Sequence, residues 1–274
     1  MKRTRFVAPA REALAAGVFD HPIFAAVARH RDLLDAAHWP ALEALNKRLI
    51  EPGLRFVAQD EGLLRDGLHY ETRIHDHGCI ATRERNWHDL FNALIWIQHA
   101  ALKRALNLRQ VADILRCGPQ VRSRAQCALT HFDEAGAVVW LDDAALLEAW
   151  DAHDWRTWFG QQEAFAQGRI RIHIFGHALL EHMLYPERLP TAKCLVLCGG
   201  NPADWCSTLA EAIAAGKLLN DPQELRPLPL AGIPGWSAGQ HAAEFFDGDA
   251  FRPRRADRCY PMPWRAATDA AVPA

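Results

Sequence analysis

The segment Thr82-Arg83-Glu84-Arg85-Asn86-Trp87-His88-Asp89-Leu90-Phe91-Asn92-Ala93-Leu94-Ile95-Trp96 sets an imidazole, a carboxylate and two asparagines among residues that otherwise read as a buried helix. Such groups cost free energy on an apolar element unless they are paired or exposed to water. They therefore belong to a solvated face, to a satisfied network or to a site. A second cluster, Phe175-Gly176-His177-Ala178-Leu179-Leu180-Glu181-His182, places His177 and Glu181 four residues apart on one helix face, with His182 pointing elsewhere. A histidine and a carboxylate at that spacing can bind one metal ion, or the carboxylate can orient the imidazole. The order is not the HExxH of zinc proteases. A third pair, Asp133-Glu134, reads as an acidic turn, which turn preference alone explains; the same carboxylates could serve as a base or as an extra ligand. Arg83 and Arg124 are candidate clamps for a small anionic ligand.

The elements that would carry these groups follow from periodicity. At 100° per residue, a helix over 84–107 gathers Arg85, His88, Asp89, Asn92, Trp96, His99 and Lys103 within roughly 100° of arc, opposite Trp87, Leu90, Leu94, Ile97 and Ala101. That is also the pattern of an ordinary amphipathic helix with a wet polar stripe. Residues 108–116 suit a further helical turn, ended by Gly118-Pro119. Residues 21–51 suit two short helices. Arg55-Phe56-Val57-Ala58 and Tyr70-Glu71-Thr72-Arg73-Ile74 suit strands, and residues 128–132 and 138–141 suit a hairpin turning at Asp133-Glu134-Ala135-Gly136. Helices are expected across 143–167, 176–184 and 202–218, and strands at 169–174 and 194–198.

Irregular alternation of helices and short strands points to an α+β fold rather than repeated βαβ units. The expected organisation is a helix-rich globular domain over 1–221, a proline- and glycine-rich arm over 222–265 packed on it, and a frayed tail over 266–274.

At 274 residues, 50% hydrophobic and 23% charged, the chain is long enough for a substantial core. A net charge of -2 gives no general bias toward nucleic acid or anionic membrane, although arginines cluster at 109, 116, 122 and 124 and again at 252, 254, 255 and 258. Either cluster could grip a phosphate or carboxylate. No apolar run approaches the roughly 20 residues of a transmembrane helix, and the basic start Met1-Lys2-Arg3-Thr4-Arg5 is not followed by a signal-peptide core. Seven scattered cysteines without a CxxC pair predict reduced, mostly buried thiols in a cytoplasmic protein. Phosphate-loop and nucleophile-elbow motifs are missing.

Taken together, Arg83 with Asn86 through Leu94, Leu129-Thr130 with Phe132-Asp133-Glu134 and Gly136, Phe175 through Leu179 with Glu181, Gly232-Ile233-Pro234-Gly235-Trp236 and Phe251-Arg252-Pro253 resemble a bacterial family known as domain of unknown function 3025. The resemblance runs from about residue 55 to 258. It departs at Gln98-His99-Ala100, where an aromatic-proline pair is expected, and at Phe246, where tyrosine is. It implies no activity. Two expectations stand. In one, His88, Asp89, His177 and Glu181 bind a divalent metal ion for hydrolysis, assisted by Asp133 or Glu134 and by Arg83 or Arg124, with Asn86 and Asn92 in the pocket. In the other, the same groups form a structural polar network or a ligand-binding pocket without catalysis.

Overall fold

The structure, a computed structural model, describes residues 6–185, 187–188 and 190–265. The expected tail and the basic start lie outside them. The N-terminal third holds short helices α1 (Arg31–Asp35) and α2 (Leu42–Asn46), strand β1 (Arg55–Ala58), helices α3 (Glu61–Leu64) and α4 (Tyr70–His77), and strand β2 (Cys79–Thr82), which pairs in parallel with β1. Two long helices follow, α5 (Trp87–Gln98) and α6 (Ala100–Cys117), then α7 (Arg124–Ala135) running directly into β3 (Gly136–Leu141). Short helices α8 (Glu148–Ala152), α9 (Trp155–Phe159) and α10 (Gln162–Ala166) lead to β4 (Ile170–Ile174), α11 (His177–His182), β5 (Thr191–Cys198), α12 (Trp205–Ala214) and β6 (Arg226–Pro229). The larger sheet has the order β4-β3-β5-β6, with β3 and β5 parallel and both outer pairings antiparallel. This is the expected α+β architecture, around one contiguous apolar core.

Two expected strands are helices. Tyr70–His77 alternates polar and branched residues like a strand, yet the His69 side chain caps its first turn and Gly78, at φ 64, ends it in the left-handed region that glycine tolerates. The expected hairpin fails for a similar reason. Ser123 and Gln126 form a reciprocal capping box, and Ala128, Leu129 and Phe132 bury one face at helical spacing, so 124–135 is helical. Only its second half, 136–141, is a strand, and its partners are β4 and β5.

The helix–strand junction needs no loop because position 136 is glycine: a Cβ there would lie 2.1 Å from the Phe132 carbonyl oxygen. The helix expected over 84–107 breaks at His99, whose φ of -133° and ψ of 43° separate α5 from α6. The arm from 222 contributes β6 to the sheet edge before passing through 3₁₀ turns. Of the seven free cysteines, Cys79, Cys194 and Cys198 are buried, three are half-buried and Cys259 is exposed, so burial of the thiols is less complete than expected. Among the described residues no helix is long and apolar enough to cross a membrane.

Candidate metal centre

Three helices deliver the site. Helix α11 packs on both α5 and α7. The start of α5 is fixed by Asn86, whose side chain accepts from the Asp89 amide at 3.0 Å, just after Arg85 turns the chain at φ 55. Asn86 is thus a helix cap. The polar stripe expected on α5 is not a wet face: Asp89 is buried, and His88 and Asn92 are only partly exposed. The start of α11 is held by the β4 end, where the amides of Phe175 and Gly176 both donate to the Gly136 carbonyl, at 3.0 and 2.8 Å. The main chains touch here, since a Cβ on Gly176 would lie 2.3 Å from the Gly136 nitrogen. Glu134 and His177 are therefore set by two backbones in contact.

From these positions three donor atoms converge. His88 Nε2 lies 3.1 Å from His177 Nε2, Glu134 Oε2 lies 3.6 Å from His177 Nε2, and it lies 3.9 Å from His88 Nε2. A zinc ion bound tetrahedrally with bonds of about 2.0–2.1 Å requires donor separations of roughly 3.3–3.4 Å. The observed triangle brackets that edge. The two rings meet edge-on, 76° between planes, with both Nε2 atoms aimed at one region. His88 is 28% and Glu134 42% exposed, so one side of the triangle faces solvent.

Glu181 stands behind this triangle. Its Oε2 is 2.9 Å from His88 Nδ1, on the far side of the ring from Nε2. A carboxylate there fixes the tautomer and leaves the Nε2 lone pair forward. Burial works against charge on His88, but the bond to Glu181 and the field of Glu134 outweigh it and raise its pKa. His177 behaves oppositely, with burial pushing its pKa down to about 3, so its ring is neutral near pH 7. The Asp133 main chain interacts with that ring, but no acceptor meets hydrogen-bond geometry at the buried Nδ1. Burial raises the pKa of Glu134 despite the attraction of His88. Two imidazoles and a carboxylate that burial makes reluctant to stay charged form a donor set for a cation.

The remaining candidates lie elsewhere. Asp89 points away from the triangle: its carboxylate takes the Arg83 amide at 2.5 Å, Arg83 Nε at 3.0 Å and Arg83 Nη2 at 2.7 Å. Asp133 takes Lys103 Nζ at 2.5 Å, and Lys103 also donates to Asn92 Oδ1 at 2.9 Å, while Asn92 donates to the Tyr70 hydroxyl at 3.0 Å. This buried chain joins α4, α5, α6 and α7 and satisfies its own members. Alongside it, burial raises Glu71 to about 7, with its carboxylate taking Asn107 Nδ2 at 2.7 Å. Arg124 pairs with Asp221 at the opposite end of α7 from Glu134. His182 packs on Phe6, at 4.3 Å between ring centroids.

Of the four ligands expected from the sequence, His88 and His177 lie 3.1 Å apart with Glu181 beside His88, and Asp89 is turned to Arg83. Glu134 as the third converging group depends on 124–135 being a helix, for which the Ser123–Gln126 capping pair was the available signal. The comparisons with curated proteins and with solved structures find no match. The model of the family described as Protein of unknown function (DUF3025) matches residues 54–255. That span carries all three converging donors, and the chain belongs to the DUF3025 family.

Proposed function

We propose that the chain is a metal-dependent hydrolase whose divalent ion, of the zinc class, is held by His88 Nε2, His177 Nε2 and Glu134 Oε2. The single observation that carries this reading is the convergence of those atoms at 3.1–3.9 Å on a face open to solvent. Two imidazoles and one carboxylate leave a position free for water, which is the composition of catalytic rather than structural zinc sites. A bound ion would supply acidity to that water at neutral pH. The chain's own groups do the positioning: Glu181 holds His88 with Nε2 forward, and the packed α11 holds His177. Arg83, 45% exposed and close enough to Glu181 to feel its charge, offers a guanidinium at the rim for an anionic group. Asp133 is committed to Lys103 and is not free to act as base. The free cysteines favour a reducing compartment, and the cytoplasm is the proposed location.

A structural reading has its own observation: at 3.1 Å the two rings can share a proton without any metal. Elemental analysis of purified, untagged protein separates the two. A single equivalent of metal is expected in the wild type, lost in His88→Ala, His177→Ala and Glu134→Gln and kept in Asp89→Asn. Glu181→Gln, removing the orienting carboxylate, is expected to weaken binding by about 10–100-fold. A wild type that stays metal-free after dialysis against zinc, manganese or cobalt sinks the metal reading.

A further inference from the structure

Away from the His88–His177 centre, a cleft of about 1020 Å³ opens between the β5–β6 edge of the sheet and the C-terminal arm. Its size is at the upper end of the roughly 300–1,000 Å³ typical of small-molecule sites. Four cations line it: Lys193 from β5, and Arg252, Arg255 and Arg258 from the arm. Arg258 and Arg255 lie close enough to Lys193 to oppose its charge: burial first, then these two guanidinium groups, push its amine down against the opposite pull of Cys194.

Counter-charges are scarce. Glu187 and Asp249 also border the cleft, but among the described residues none of the four cations makes a salt bridge with a carboxylate. Several arginines elsewhere do meet a carboxylate: Arg73 with Asp66, Arg124 with Asp221, Arg169 with Asp142 and Arg226 with Asp151. What sets the cleft apart is that four cations without such a partner line one concavity. Arg258 donates to main-chain carbonyls, Leu225 at 3.0 Å and Pro222 at 3.5 Å, and stacks over Tyr260 at 4.8 Å. Like charges gathered without partners cost stability, and a fold breaks its own rules in this way where a ligand completes them. Guanidinium groups suit phosphate oxygens, which they can grip in pairs. Trp155, Pro227 and Phe245 supply an apolar wall beside this charge.

We propose that this cleft binds a small organic phosphate, its phosphoryl groups against Lys193, Arg255 and Arg258 and its apolar body along the Trp155–Pro227 wall. The site is independent of the metal centre. Calorimetric titration of the full chain with adenosine 5′-diphosphate, inorganic pyrophosphate and adenosine tests it, with chelator present so that phosphate on a metal ion is not counted. Saturable binding is expected for the diphosphate, weaker for pyrophosphate, weakest for adenosine, and falling as salt rises. Arg255 is exposed, so Arg255→Ala leaves the fold intact; it and Lys193→Gln are each expected to weaken diphosphate binding about tenfold. Arg65→Ala, on an exposed surface outside the cleft, is expected to change nothing. Absence of saturable binding by either anion, or equal affinity in wild type and both cleft variants, overturns the proposal.

Discussion

At the scale of single residues, the site divides into groups that converge and groups that hold them. His88, His177 and Glu134 turn donor atoms toward one point, His177 from a buried position and the other two from partly exposed ones, whereas Lys103, Asn92, Asp133 and Tyr70 face one another in the interior. The Lys103–Asp133 pair illustrates the second class. Its lysine is 3% exposed and its carboxylate 24%, and Lys103, with His177, holds the Asp133 pKa down against the effect of burial. Removing one partner leaves a charge in a poorly solvated place, so Lys103→Met is expected to cost about 3 kcal/mol in chemical denaturation. Lys103→Met/Asp133→Asn is expected to recover part of that loss, and equal losses in both would mean that the ion pair is not the source. Residue types in the sequence singled out His88, His177 and Glu181, which the fold brings together, along with Asp89, which it does not. They could not rank Asp89 against Glu134, because whether a carboxylate is consumed by a nearby arginine depends on where β2 ends and α5 begins.

At the scale of elements, legibility followed the clarity of the apolar period rather than the length of the segment. The α5 and α6 helices, β4 and α12 follow their apolar spacing. Residues 70–77 and 124–135 mimic strands because branched and aromatic residues recur among polar ones; capping by His69 and Ser123 decides for helix. The break between α5 and α6 carries a pH consequence. Burial lowers the pKa of His99 to about 4, helped by His173 and Arg29, and the ring packs 5.0 Å from that of Trp205. In the unfolded chain the same ring takes up its proton near pH 6.5. A lowered histidine pKa therefore leaves stability untouched above about 6.5 and removes it as pH falls toward 4, by up to about 1.4 kcal/mol per pH unit. Thermal melts at pH 7 and pH 5 are expected to show a smaller acid loss in His99→Phe than in wild type, and parallel losses would refute this assignment.

At the scale of the whole molecule, the three donors come from positions 88, 134 and 177, on helices that the core assembles from distant parts of the chain. No local segment contains the site, which is why spacing alone could pair residues within a helix but not across helices. An ion held there would cross-link those segments in the folded chain only. Zinc at a hundred times its dissociation constant is then expected to stabilise the wild type by about 2.7 kcal/mol, read as a raised Tm, and to leave His177→Ala unmoved. A Tm insensitive to zinc would count against a native-state metal site. The contact of Gly136 with Gly176 bears on which ion such a site accepts. Glu134 and His177 are spaced by two main chains pressed together, with no side chain between them to yield. The main chains fix the two anchor points, and the donor types then choose the ion: two imidazole nitrogens suit the zinc class, whereas calcium, which takes about six to eight oxygen ligands, would meet a single carboxylate in the triangle.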